Sequence, residues 1–147
     1  MELREKEPQT IEEIKVGDVW YSSWGYDQTN VDFYKVIKKS NKMIWLRRIG
    51  QIYVKQTSWA SEDVMPDPTN ELWERDYIKR EKLAKMPEAK LLQEDTGEGK
   101  YVYVSYTAIS KHLVQSFGHQ NGIYVKISSY SHATPFDGVP RHQSHWA

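Results

Sequence analysis

The chain contains no cysteine among its 147 residues. A disulfide framework and any thiolate metal site are therefore excluded, and the composition suits a reducing compartment. Neither sign of charge is in excess: 20 Lys and Arg stand against 20 Asp and Glu. No uniform attraction to nucleic acid or to an anionic membrane follows, so any such role must come from local asymmetry. No apolar run approaches the roughly 20 residues needed to span a bilayer, and residues 1–10 are charged rather than apolar. Catalytic signatures are missing as well. There is no GxSxG elbow, no phosphate-cradling glycine loop and no carboxylate pair in a recognisable acid–base setting. These absences predict a soluble, cytoplasmic binding protein with no catalytic residues, no cofactor and no membrane partner; an enzyme built from scattered residues is the weaker expectation. Oligomeric state is left open.

Aromatic surface is what the chain has in quantity. Ten Tyr and six Trp supplement a modest apolar fraction of 39%, so large rings must supply much of any core. The length suits one domain. Residues 1–10 read as a polar, mobile lead-in, and residues 11–147 as a single β-rich domain.

Val16-Gly17-Asp18-Val19-Trp20-Tyr21 places a Gly-Asp turn before an alternating apolar run, as at the entry to a first strand. Residues 22–30 are too polar and irregular for a core strand and read as a long loop. Residues 31–38 alternate with period two, Ser40-Asn41-Lys42 turns, and residues 43–49 return as the second arm of a hairpin. Gly50 is expected to break that arm before residues 51–56 resume it. Pro66 and Pro68 mark residues 59–70 as a loop. Residues 100–106 (KYVYVSY) and 122–130 read as strands, and the tail beyond Pro135 as irregular. Over residues 107–117, Ile109, Leu113 and Phe117 recur every four positions, which predicts a short helix. The predicted fold is mainly β: a small SH3-like curved β-barrel built from residues 16–56, completed by 100–106 and 122–130, with one or two short helices.

Three features carry candidate chemistry. The loop Trp24, Tyr26, Asp27, Gln28, Asn30 joins stacking rings to polar groups that suit a base or a peptide; the same side chains also bond readily to their own backbone. Between Phe33 and Ser61 lie seven basic residues and no acid. Lys35, Lys38, Lys39, Lys42, Arg47, Arg48 and Lys55, with Trp45 among them, form a candidate nucleic-acid face, although lysines also protect ordinary strand edges. All five histidines (His112, His119, His132, His142, His145) fall late in the chain and, with Asp137, suggest a metal-dependent hydrolase as a further alternative. Their spacing matches no familiar ligand motif, so no metal ligand is assigned.

The segment GDVWYSSWGYDQTNVDFYKV from Gly17 resembles a family of mostly uncharacterised accessory proteins of bacteriophages and integrative elements, with a GD-aromatic and SWGYDQTN signature near the N-terminus. The late Phe136-Asp137-Gly138 turn and Trp146 are similar to that family's ending. Residues 84–121 have no counterpart in it and are expected as an insertion. The resemblance implies a compact β-rich protein of phage or mobile-element origin in a bacterial host. Its expected function is non-enzymatic binding of a host protein or nucleoprotein complex, as an inhibitor of a host defence nuclease. Nucleic-acid binding through the basic face is the alternative.

Overall fold

A computed structural model describes residues 7–25, 28–86, 88–94, 99–117 and 122–144. The described chain is mainly β. After a 3-10 turn at Ile11–Glu13, the strands in chain order are β1 (Val19–Trp24), β2 (Asn30–Lys39), β3 (Met43–Ser58), β4 (Ser61–Glu71) and β5 (Glu74–Lys79). One helical turn, α1 (Arg80–Leu83), leads to β6 (Lys90–Glu94), β7 (Tyr101–Tyr106), β8 (Ile109–Leu113), β9 (Gln115–Ser116), β10 (Ile123–Ser128), β11 (Ser131–Pro135) and β12 (Arg141–Ser144). No helix among the described residues is long and apolar enough to cross a membrane. The chain divides into two compact units, residues 72–108 and the remainder. The expected insertion at 84–121 coincides with neither: its early part belongs to the smaller unit and residues 109–121 to the larger.

In the larger unit the sequence dictates the start. Gly17 adopts φ 99°, open to glycine at little cost. The turn is closed by the Asp18 carboxylate accepting from Lys15 N at 2.9 Å and by Gly17 N donating to Val36 O at 2.7 Å. β1, β2 and β3 then form the expected antiparallel meander. The sheet continues in the order β12-β4-β3-β2-β1-β11-β10-β9, with β8 also paired to β3.

Each face of the meander carries a buried cluster, because cross-strand partners share a face and apolar pairs occur on both. Trp20 opposite Tyr34 and Val36 opposite Leu46 pack with Ile14, Ile44 and Val125 on one face. Phe33, opposite Tyr21 and Ile49, packs with Val31, Val64 and Phe136 on the other. Burying Trp20 and Phe33 contributes roughly 2–3 kcal/mol each.

Several expectations are overturned. Among the described residues the sheet stays open, with β12 and β9 at its ends, so the predicted closed barrel does not form there. Residues 100–106, expected to complete it, instead supply β7, the centre of a separate three-stranded sheet β5-β7-β6 in the smaller unit. There Val102 and Val104 are fully buried and Tyr77 stacks on its cross-strand partner Tyr103 at 4.8 Å.

The helix expected over 107–117 is strand. Ile109 to Leu113 pairs residue by residue with Arg47 to Met43. Positions four apart lie on one face of a strand as well as of a helix, and the free flank of β3 decides between them.

Gly50 does not interrupt β3. The strand passes through it with a register shift, and a Cβ there would collide with the Asn70 side chain. The expected loop at 59–70 is mostly β4. Pro66 and Pro68 lie beyond Ser61–Val64, the stretch that β12 covers, where β4 is an edge and proline is tolerated. The tail beyond Pro135 is ordered far enough to form β12.

Candidate functional site

The long loop expected at residues 22–30 is shorter: Ser22, Ser23 and Trp24 end β1 and pair with Asp32, Val31 and Asn30 of β2, because the polar residues there still alternate across the ladder, so the connection runs only from Trp24 to Asn30. Trp24 Nε1 donates to Asp32 Oδ2 at 2.8 Å, and Arg48 Nη2 donates to Asp32 Oδ1 at 2.8 Å. The Tyr34 hydroxyl beside them is pushed up to about 12, chiefly by burial, with the Asp32 charge adding to the shift and Arg48 opposing it. Gln28 Nε2 donates to Asn30 Oδ1 at 3.2 Å, and Thr29 exchanges bonds with Ser144 of β12, accepting at 2.9 Å and donating at 3.0 Å. Trp24 leans on Tyr130 with ring centroids 6.0 Å apart. Tyr26 and Asp27 lie outside the described residues. Trp24, Gln28 and Asn30 thus bond to side chains near them in the sequence, while the Thr29 backbone ties the connection to β12.

The basic residues scatter over different surfaces. Lys35 and Arg47 share a face and clamp opposite oxygens of Glu71, each at 2.5 Å. Lys38 shares that face with Trp45 and lies 4.7 Å from its ring centroid, and Lys111 of β8 lies 5.2 Å from the same ring. Lys39 caps the Glu12 and Ile14 carbonyls at 3.1 and 2.7 Å. Arg48 faces the opposite side of the sheet, toward Asp32. Lys42 lies by the β2–β3 turn and Lys55 far along β3; neither makes an ion pair among the described residues. Five of the seven cations therefore have intramolecular partners, and phosphate binding would compete with them.

The Lys35 hydrogen bond is the largest influence on the Glu71 carboxyl, which it holds below the usual value of 4.5; the Lys35 and Arg47 charges add to it. A lowered folded-state value stabilises the fold above pH 4.5, and that contribution disappears as pH falls through the folded value. Glu71→Gln should therefore cost about 0.5–1 kcal/mol at neutral pH, the range for a partly exposed pair. The gap from wild type should close on acidification below about pH 4.5, as read from urea midpoints across pH. A gap that widens in acid would refute the linkage.

The histidines are dispersed. His112 Nδ1 meets Lys126 O at 2.9 Å and Nε2 meets the Ser110 hydroxyl at 2.5 Å, while burial lowers its pKa. His132 packs edge-on to Tyr124, and His142 Nδ1 lies 3.4 Å from Asp63. Asp137 holds Arg141 at 2.8 Å, and Arg141 lies over the Tyr21 ring at 4.3 Å. His119 and His145 lie outside the described residues. Among those described, no three His, Asp or Glu side chains gather as a metal site.

Sequence reasoning missed an exposed apolar surface on the β3–β4 hairpin. Beyond Gln51, β3 leaves β2 and continues with β4 as a hairpin arm. Ile52, Tyr53 and Val54 are exposed along it, and Trp59 at its tip is 75% exposed. The tip is not frayed. The Ser61 hydroxyl lies 2.7 Å from both the Thr57 and the Ser58 hydroxyls, Ala60 N donates to Ser58 Oγ, and Gln56 Nε2 donates to Ser58 O. Trp59 is thus an indole held in solvent by a bonded turn. The signal in the sequence was the unbroken Ile-Tyr-Val run, which a half-buried strand does not need, followed by a Trp at the turn. In the smaller unit, a cleft of about 660 Å³ is lined by Lys79, Arg80, Glu81, Lys100 and Tyr101.

Comparison with models of known protein families, with curated proteins and with solved structures finds no match to this chain.

Proposed function

We propose that the chain is a non-enzymatic binding protein whose recognition element is the β3–β4 arm. The observation that carries this reading is the exposure of Ile52, Tyr53, Val54 and Trp59 on an arm with a hydrogen-bonded tip. Solvent-facing aromatic anchors on ordered backbone supply most of the energy at protein interfaces, because little side-chain freedom is lost when they dock. A protein surface with a pocket for an indole is the matching partner. The resemblance of the segment from Gly17 to phage and mobile-element proteins supports a host protein or nucleoprotein complex in the bacterial cytoplasm, with inhibition of a defence nuclease as the consequence. We also read the antiparallel β1–β3 meander as akin to SH3-like barrels, a fold whose function lies in grafted surfaces.

Trp59→Ser should weaken capture of the partner from host lysate about thirtyfold, the effect of losing one hot-spot anchor of roughly 2 kcal/mol. Thermal stability should stay unchanged, since Trp59 contributes little to either core. Equal capture by wild type and Trp59→Ser would refute the reading.

A further inference from the structure

β2 begins at Asn30, and its pairing with β3 ends at Phe33 opposite Ile49. Beyond that point the Gln51 side-chain amide donates to Val31 O, taking the place of the next rung. From residue 52 to residue 57, β3 bonds only to β4, and among the described residues its other flank has no strand partner. Unpaired strand backbone flanked by apolar side chains is a template for an added strand.

We infer that this flank of β3 accepts an extended acidic segment of a partner protein as an additional antiparallel strand. The inference deepens the protein-binding reading of the arm and rests on it.

Charge selects the occupant. The basic run between Phe33 and Ser61 contains no acid. Lys55 sits within the open flank without an ion pair, although Asp63 is opposite it across the ladder. Asp63 is instead contacted from its other side by His142. A glutamate or aspartate on the added strand would meet Lys55. A second copy of this chain would bring another Lys55 and no acid. The register shifts between Tyr53 and Lys55 and between Gln56 and Ser58 also disfavour a second copy, because bulges in each edge interrupt long strand-to-strand pairing. A short segment of about four to six residues adapts to the bulges of one edge more easily than two bulged edges adapt to each other.

The test uses the full chain, labelled for amide NMR, with three probes: a hexapeptide alternating glutamate and valine, its lysine–valine counterpart, and a thymidine decamer. The acidic peptide should shift the amides of residues 52–57 and slow their hydrogen exchange. Lys55→Glu should weaken it about fivefold and improve binding of the lysine–valine peptide, whereas Lys42→Glu should change neither. Shifts that fall outside the arm, equal response to both peptides, a dimer formed through these amides without peptide, or the same shifts with the decamer would each overturn the inference. If Trp59→Ser abolishes partner capture while the peptide leaves these amides unmoved, the arm binds by its side chains and only the added-strand inference falls. If the peptide binds here while Trp59→Ser captures normally, the edge inference stands and the Trp59 reading falls.

Discussion

Phe33→Ala should destabilise the larger unit by about 3–5 kcal/mol, the cost of truncating a fully buried aromatic. Phe33 is fully inaccessible and meets Phe136 edge-to-face at 5.4 Å, while Phe136 in turn meets Tyr21 at 6.0 Å. Val31, Ile49 and Val64 complete this cluster. Tyr21, Val31, Ile49 and Val64 are strand residues fixed by ladder bonds, and Phe136 N donates to Val19 O, so these neighbours cannot collapse into the space the ring leaves. Phe33 also sits centrally in β2, paired with Tyr21 of β1 and Ile49 of β3. A cavity there loosens the strands that carry the arm. Urea unfolding followed by tryptophan fluorescence measures the effect, with Ile52→Ala as the exposed counterpart expected to cost under about 0.5 kcal/mol. A loss below about 1 kcal/mol for Phe33→Ala would show that this cluster is not a packed core.

Gly25→Ala should cost about 3 kcal/mol, an unusually large effect for a loop position. Gly25 adopts φ 130°, a region that other residues enter only with strain of about 1–3 kcal/mol, and an added Cβ would collide with the Gln28 carbonyl. Backbone cannot step aside as a flexible side chain would. The connection would have to reorganise, endangering the Trp24–Asp32 bond and the Thr29–Ser144 bridge to β12. Gly99→Ala isolates the conformational part. Gly99 has φ 73°, but an added Cβ would meet nothing within 4 Å, so about 1–2 kcal/mol is expected. Equal costs at the two positions would mean that the Gln28 contact carries no weight.

The candidate surfaces were legible in unequal measure. The aromatic loop stands out in the sequence because its composition is unusual, yet Trp24 and Asn30 satisfy local partners there. The basic run was visible as a run, but alternation and folding send Arg48 to one face and Arg47 to the other, and the acid that neutralises Lys35 and Arg47 is Glu71, far along the chain. The arm was legible only as a strand, because exposure depends on which neighbours β3 retains beyond Gln51.

Composition and local pattern by themselves determined the β-rich class, the Gly17–Asp18 turn, the β2–β3 hairpin and the strand at β10. Each rests on interactions within a few residues: turn geometry, period-two alternation and short hairpin closure. Tertiary structure alone decided the rest. The i, i+4 spacing of Ile109 and Leu113 fits helix and strand equally, and the vacant flank of β3 selected strand. β7 has the same apolar alternation as a barrel strand, but β5 and β6 claim both its edges. β4 keeps its prolines because β12 stops short of them. In each case the choice lay in which backbone edges were left unpaired, a property of the assembled sheet that no local window of sequence contains.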